Sequence, residues 1–128
     1  MKILFIAKSL IKNKKSFIRD FEHTKRSFTA IGWVIDLWET NYARHAVELA
    51  RKAVEENYSH VISVGGDGTL SEVVNGLLEN NVSTLPVLGL LPYGTANDFA
   101  KTCGAKKSVE GILNAIREKK WKKIDIGK

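Results

Sequence analysis

The sequence predicts an α/β fold with an open, mostly parallel sheet and helices on both of its faces. Two observations lead to this prediction. Short apolar runs rich in β-branched residues alternate along the chain with longer segments in which apolar residues recur every three or four positions. The short runs are continuous in apolar residues, and strands of that kind belong to parallel sheets that helices cover on both sides.

The first half of the chain is predicted to form a strand, a helix and a second strand. Residues 2–7 form a short run that is apolar after Lys2, and residues 33–38 combine β-branched with aromatic side chains, so both segments have strand character. The apolar residues between them are spaced by three or four, which predicts a helix that ends at Gly32. The predicted inner face of this helix consists of Phe17, Phe21, Thr24, Phe28 and Ile31.

The second half repeats this pattern twice and adds a final helix. Strands are predicted at residues 61–64 and 87–91, each preceded by a helix with one apolar face. The two faces consist of Ala43, Ala46, Val47, Ala50 and Val54, and of Leu70, Val73, Val74, Leu77 and Leu78. A last helix around Ile112, Leu113 and Ile116 and a terminal strand at residues 121–126 complete the prediction.

The composition fits a single domain with an anionic partner. The 128 residues suffice for one domain, and no apolar run reaches the roughly 18 residues that cross a bilayer. A formal net charge of +6 favours nucleotides or phospholipid surfaces as partners. Aromatic residues are not interleaved with the lysines, so no nucleic-acid partner is predicted. The single cysteine, Cys103, excludes an internal disulfide and fits a cytoplasmic setting.

The loop after the predicted strand at residues 61–64 has the sequence Gly-Gly-Asp-Gly-Thr and directly precedes an amphipathic helix. Ligands of open α/β folds bind beyond the carboxyl ends of the strands, where this loop lies. Three glycines allow backbone N–H groups to approach a phosphate, and the following helix offers the positive end of its dipole. Thr69 and Glu72 have the spacing of a capping box, which predicts Thr69 as the helix N-cap.

Asp67 is the unexpected residue of this loop. A carboxylate repels phosphate unless a cation or a hydroxyl donor lies between them, so Asp67 is assigned to a Mg²⁺ or water network. The alternative is a glycine-rich turn in which Asp67 only helps to cap the helix. The loop matches neither the dinucleotide fingerprint nor a Walker A loop, which ends in Gly-Lys-Ser/Thr.

A second polar segment, residues 92–100, follows the strand predicted at residues 87–91 and has the sequence Pro-Tyr-Gly-Thr-Ala-Asn-Asp-Phe-Ala. Thr95 can donate a hydrogen bond to a phosphate or ribose oxygen. Asp98 can reach the first loop if the two strands are neighbours in the sheet. The alternative is a turn in which Asn97 or Asp98 caps a short helix.

Together the two segments resemble the catalytic domain of diacylglycerol kinases and related bacterial lipid kinases, over nearly the whole chain. NAD kinases and 6-phosphofructokinases are similar at residues 65–69, but the second segment distinguishes the lipid kinases. The resemblance implies a Rossmann-like, three-layer nucleotide-binding domain over residues 1–128, without the family's C-terminal β lobe. It also implies an ATP-dependent lipid kinase in which this chain is an ATP- and Mg²⁺-binding lobe, inactive by itself.

The resemblance further implies which residues bind the nucleotide and the metal. The nucleotide-binding residues carried over are Thr40, Gly65, Gly66, Asp67, Gly68, Thr69, Leu70, Ser71, Glu72, Gly94, Thr95 and Asn97. The aspartates that organise Mg²⁺ are Asp67, Asp98 and Asp125, and Asp67 is also the catalytic residue. Two of these assignments have alternatives: Thr40 also fits a helix N-cap before Ala43, and Asp125 a solvated carboxylate at a strand end.

One region departs from the family's pattern. Members usually have an Asn-Pro-x-Ser/Ala-Gly loop after the first strand, whereas residues 7–13 here contain neither proline nor glycine. Ser9 or a nearby lysine is left to contact phosphate, and weak nucleotide binding is expected. The departure supports a non-catalytic nucleotide-binding module as one alternative; a kinase of NAD or of a sphingoid base is the other.

The implied partners are ATP and a diacylglycerol-like lipid, which the family's C-terminal lobe would bind. The basic clusters favour peripheral contact with an anionic membrane, at the inner face for a cytoplasmic protein, although each cluster alone is more often a solvated face. A homodimer is left open. The clusters are Lys12, Lys14 and Lys15, then Lys106 and Lys107, then Lys119, Lys120, Lys122 and Lys123.

Overall fold

The computed structural model describes residues 1–9, 14–79, 84–92 and 108–118, which form four strands and four helices. The strands are β1 (Lys2–Lys8), β2 (Val34–Thr40), β3 (His60–Gly65) and β4 (Val87–Pro92). The helices are α1 (Lys14–Thr29), α2 (His45–Glu55), α3 (Asp67–Leu78) and α4 (Val109–Arg117). Within these ranges no helix combines the length and the apolar character needed to span a membrane.

The four strands lie parallel in one sheet with the order β2-β1-β3-β4. Their carboxyl ends meet at one edge, where the paired residues are Lys8 with Thr40, Ala7 with Val64, and Gly65 with Pro92. The predicted open α/β fold with a parallel sheet is therefore confirmed. Because β3 and β4 are neighbours, the chain leaves both strands side by side, and the two predicted loops start next to each other.

Two apolar layers cover the sheet, one on each face. On the first face α1 and α4 pack on the sheet, with the rings of Phe5 and Phe21 edge to face at 5.3 Å. On the second face α2 and α3 pack against residues that include Leu4 and Val61. Burial of one such large side chain stabilises the fold by about 1.5–3 kcal/mol. The predicted inner residues of the last helix, Ile112, Leu113 and Ile116, are all buried.

The end of α1 differs from the prediction by one turn. The helix ends at Thr29, and Ile31 is 56% exposed, so its assignment to the inner face is wrong. Gly32 does terminate the helix, with a φ of 93°, because the next amide, that of Trp33, folds back to the carbonyl of Phe28 at 3.1 Å. The ring of Trp33 then packs on that of Phe28, with centroids 4.9 Å apart, and takes the place that the periodicity gave to Ile31.

The start of α2 also differs from the prediction. The helix begins at His45, and its N-cap is Arg44, whose φ of 67° is left-handed. Thr40 is the last residue of β2, so the alternative of Thr40 as a helix N-cap is wrong. Ala43 is exposed in the turn before the helix, which makes its assignment to the apolar face wrong as well. The helix starts late because the amide of His45 closes a turn on the carbonyl of Tyr42 at 3.1 Å.

His60, the first residue of β3, is expected to make stability depend on pH. It is only 5% exposed, and burial, followed by the positive N-terminus, lowers the pKa of its imidazole below 6.5. The unfolded chain then binds a proton as the pH falls through about 6.5, whereas the folded chain binds it only at lower pH, so stability falls with the pH. We expect His60→Gln to flatten this part of a melting-temperature profile, and His23→Gln, at an exposed position, to leave it unchanged. An unchanged slope in the His60 variant would contradict the expectation.

Candidate functional site

An open cleft of ≈ 370 Å³ lies at the carboxyl edge of the sheet. Its lining comes from three places that are far apart in the sequence. The end of β1 contributes Lys8 and Ser9, residues 40–44 contribute the end of β2 and the turn after it, and the start of α3 contributes Gly68, Thr69 and Glu72. The cleft is therefore where an open α/β fold is expected to bind a ligand.

The turn between β3 and α3 requires glycine at its first position. Gly65 has a φ of 139°, and a Cβ at this residue would lie 3.1 Å from the hydroxyl oxygen of Thr69. A side chain at Gly65 would strain the backbone and push Thr69 away. Thr69 is 7% exposed, so its hydroxyl and methyl are held firmly over the turn.

The predicted capping box at this turn is wrong. The helix α3 begins at Asp67 with Gly66 as its N-cap, so Thr69 is already the third residue of the helix. Gly66 has no side chain to accept a hydrogen bond, and the first N–H groups of a helix have no partner within it. They face the carboxyl edge of the sheet together with the positive end of the helix dipole, which suits an anion. Outside the adjoining residues and backbone of its own helix, no described atom lies within 4 Å of the place where a Cβ of Gly68 would be, so the approach to these groups is open.

Two positively charged side chains line the cleft without an ion pair to any described residue. Among the described residues, neither Lys8 nor Arg44 has an ion pair or a hydrogen bond from its side chain. By contrast Lys14, close to the same edge, is paired with Glu39 at 2.6 Å. Glu72 is the carboxylate in the lining. The free positive charge and the helix N-terminus together favour an anionic ligand over a neutral one.

The predicted nucleotide-binding residues fall into groups with different positions. Thr40, Gly68, Thr69 and Glu72 line the cleft, and Gly65, Gly66 and Asp67 form the turn that leads into it. Ser71 is exposed on α3. The side chain of Leu70 is buried in the core, and its amide donates to the carbonyl of Gly66 at 3.2 Å, so Leu70 anchors the turn. Gly94, Thr95 and Asn97 lie outside the described residues.

The predicted metal ligands are described only in part. Asp67 is exposed in the first turn of α3 and forms no hydrogen bond with a described residue, which gives no support to a capping role. Asp98 and Asp125 lie outside the described residues. In the part of the chain that is described, no three His, Cys, Asp or Glu side chains come together as a metal site. Asp67 and Glu72, both near the start of α3, offer the carboxylate oxygens that Mg²⁺ prefers.

Several cleft residues have no counterpart among the predicted nucleotide-binding residues. Lys8 was foreseen only as a nearby lysine, while Asn41, Tyr42 and Arg44 carried no recognised motif. The ring of Tyr42 is stacked on that of His45, with centroids 4.2 Å apart and 16° between the planes. The available signal was the run Asn-Tyr-Ala-Arg-His at residues 41–45, shortly after the strand predicted at residues 33–38, because polar and aromatic residues at that place face the carboxyl edge.

The fold and the cleft define a class of protein: an open α/β domain in which a glycine turn presents a helix N-terminus at the carboxyl edge of a parallel sheet. A comparison with protein families narrows this class to one family. The model of the diacylglycerol kinase catalytic domain matches residues 8–128, so the chain belongs to the diacylglycerol kinase catalytic domain family. The resemblance noted from the two motifs is thereby confirmed.

Curated relatives agree with this assignment, and solved structures share the fold. The diacylglycerol kinases of Staphylococcus aureus strains MRSA252 and Newman are each 36% identical to the chain over 115 residues. The match covers 90% of this chain and 36% of each relative, so the chain spans little more than a third of their length. A diacylglycerol kinase structure from Bacillus anthracis str. Sterne has a TM-score of 0.68 at 21% identity, over 92% of this chain and 40% of that one. A second structure from that organism has a TM-score of 0.70 at 23% identity, covering 92% and 39%.

Proposed function

We propose that this chain is the nucleotide-binding part of an ATP-dependent lipid kinase, which transfers the γ-phosphoryl group of ATP to the hydroxyl of a diacylglycerol-like lipid. The observation that carries the proposal is the cleft itself. It combines a helix N-terminus without a side-chain cap, two cations without an ion pair to any described residue, and two nearly buried threonines, Thr40 and Thr69, at the edge where parallel sheets bind ligands. Family membership and the names of the relatives support the reaction.

The residues of this chain would act by positioning the phosphates and balancing their charge. Phosphoryl transfer requires little covalent chemistry from the protein, and catalysis comes mainly from alignment and electrostatic stabilisation. The amides of Gly68 and Thr69 would donate to phosphate oxygens, with the Thr40 hydroxyl on the opposite wall. Lys8 and Arg44 would neutralise part of the triphosphate charge, in place of the glycine-containing loop that residues 7–13 lack.

Magnesium fits this site by the chemistry of its donors. Mg²⁺ usually takes one or two carboxylates together with phosphate oxygens and water. Asp67 and Glu72 stand where they could supply those carboxylates, and we propose Asp98 and Asp125 as further members of the network. When bound, the ion supplies neutralisation of the charge on the phosphates. Asp67 would otherwise repel the same phosphates, which is why its place in the turn argues for a cation.

The acceptor lipid would be bound outside this chain. The chain covers 36% of each Staphylococcus relative, and we propose that the acyl-chain site and the base for the lipid hydroxyl belong to the remainder. By itself the chain is then expected to bind nucleotide but not to phosphorylate diacylglycerol. Contact with an anionic membrane would bring the enzyme to its acceptor, and sedimentation with vesicles should rise with their content of anionic lipid and fall with salt.

Calorimetric titration with ATP and Mg²⁺ tests the nucleotide site. We expect saturable binding, and removal of both Lys8 and Arg44 by substitution with glutamine should weaken it about tenfold or more, since each charged hydrogen bond is worth about 1.5–3 kcal/mol. The matched control replaces Lys15 and Arg19, two exposed cations of α1, with glutamine, and should change affinity less than about twofold. An equal loss of affinity in the two double variants would mean that binding depends only on net charge. That result would count against the cleft as the nucleotide site.

A non-catalytic nucleotide-binding module is the second candidate, and the departure at residues 7–13 favours it. Assays of the full-length protein with ATP and either diacylglycerol, a sphingoid base or NAD separate the candidates. Phosphorylation of diacylglycerol supports the lipid kinase. Nucleotide binding without transfer to any acceptor supports the module, and transfer to NAD or a sphingoid base instead would replace the proposed acceptor.

A further inference from the structure

Tyr42 is an exposed aromatic residue that is fixed in one orientation at the rim of the cleft. Its ring lies parallel to the imidazole of His45, with centroids 4.2 Å apart. Its hydroxyl is hydrogen-bonded to the carboxylate of Glu48, and the amide of Asn41 donates to Nδ1 of His45 at 2.9 Å. These contacts hold both rings in place without any ligand, so little further side-chain entropy is lost when a ligand binds.

The exposure of Tyr42 sets it apart from the other large apolar side chains at the surface. It is 58% exposed, and it lines the cleft, whereas the other exposed examples among the described residues, Met1, Ile31, Val34 and Leu78, do not. His45 covers one face of the ring, which leaves the other face open. An aromatic ring fixed at the edge of a polar cleft is a surface for a planar ligand, since aromatic rings stack in offset parallel pairs.

We propose that Tyr42, supported by His45, is the platform on which the base of the nucleotide stacks; this inference rests on the proposed nucleotide-binding function. The two walls of the cleft then have different tasks. The wall formed by Gly68 and Thr69 presents amides and a hydroxyl to phosphates, and the wall formed by Tyr42 presents an aromatic face. A nucleoside triphosphate has the same division between a planar apolar ring and an anionic tail.

The hydrogen bond network around Tyr42 suits this role. The hydrogen bond to Glu48 raises the pKa of the Tyr42 hydroxyl, with weaker contributions from desolvation and from the charge of Glu48. The phenol therefore stays neutral and places no negative charge beside the phosphates. Stacking tolerates different bases because each has a π-face, so the platform is expected to favour purines over the smaller pyrimidines without selecting a single base.

The test compares a complete nucleotide with the same phosphate chain lacking a base. Mg²⁺-ATP and Mg²⁺-tripolyphosphate are titrated by calorimetry into the full-length protein and its Tyr42→Ala and Tyr42→Phe variants. We expect Tyr42→Ala to weaken ATP binding about 5- to 150-fold, the range for loss of one stacked base, and to leave tripolyphosphate binding within about twofold. Tyr42→Phe keeps the ring and should stay within about threefold for both ligands. Ile31→Ala removes an equally exposed apolar side chain away from the cleft and should change neither affinity.

Each outcome has a distinct meaning. Unchanged ATP affinity in Tyr42→Ala overturns the platform and leaves the nucleotide site intact. Equal losses for ATP and tripolyphosphate also overturn it, because Tyr42 would then act by shaping the turn. Binding of neither ligand by the unmodified protein overturns the proposed function, and the platform with it.

Discussion

Gly76→Ala is expected to destabilise the fold by about 1–3 kcal/mol, although alanine is the better helix former by about 1 kcal/mol. Gly76 lies where α3 crosses α2 on one face of the sheet. A Cβ at this position would lie 2.3 Å from the carbonyl oxygen of Val47 and 2.7 Å from the Cβ of Ala50. Both neighbours are helix atoms without freedom to rotate away, so the helices must separate and lose packing. The shift in the midpoint of chemical unfolding measures the effect.

Gly68→Ala is the matched control, since it lies in the same helix. Outside its own helix, no described atom lies within 4 Å of the place where its Cβ would be, so alanine should raise stability by about 0.5–1 kcal/mol through helix propensity alone. The same methyl group would narrow the cleft, which Gly68 lines, and should weaken nucleotide binding. Changes in stability of opposite sign for Gly76→Ala and Gly68→Ala would support close contact of α2 and α3. Stabilisation by both variants would contradict that contact.

The sheet and its helices were predictable because their signals are local. Continuous apolar strands and three- or four-residue periodicity give the order of elements, and Gly32 turns the chain after α1, although the last residue of the helix is Thr29. The errors at Ile31 and at the Thr69 capping box have one cause. In each case a packing contact overrode the local sequence pattern. Trp33 packs on Phe28 in place of Ile31, and the side chain of Thr69 packs over Gly65 instead of capping the helix.

The candidate site was predictable only where a motif marks it. The glycine turn at residues 65–69 could be recognised from residue types and spacing, since each glycine and threonine has a local reason. Lys8, Tyr42 and Arg44 join the cleft because β1 lies between β2 and β3, a pairing that no local pattern encodes. The left-handed backbone conformation of Arg44 could not be predicted either, because arginine has no preference for it.

Asp67→Asn in the full-length protein is expected to lower kcat/KM for lipid phosphorylation about 100-fold or more. Asparagine keeps the size and one oxygen of the side chain but removes the negative charge, so a carboxylate that balances a cation is lost while the turn is preserved. Loss of one group that stabilises charge in the transition state commonly reduces the rate about 100- to 1,000-fold. Initial rates at saturating ATP, measured over a range of Mg²⁺ concentrations, give the effect and show whether more Mg²⁺ restores part of it.

The fold should tolerate Asp67→Asn, so an effect of this substitution on catalysis can be distinguished from an effect on stability. Asp67 is exposed and bonded to no described residue, and its interaction with the helix dipole is worth only about 0.3–1 kcal/mol. Glu55→Gln, which neutralises an exposed carboxylate at the far end of α2, should leave both activity and melting temperature unchanged. Activity within about threefold of the unmodified enzyme in Asp67→Asn would remove Asp67 from the metal network and leave the turn with a purely structural aspartate. A large loss of activity at unchanged melting temperature would instead mean that the Asp67 carboxylate acts by holding a cation beside the bound phosphates, not by stabilising the fold.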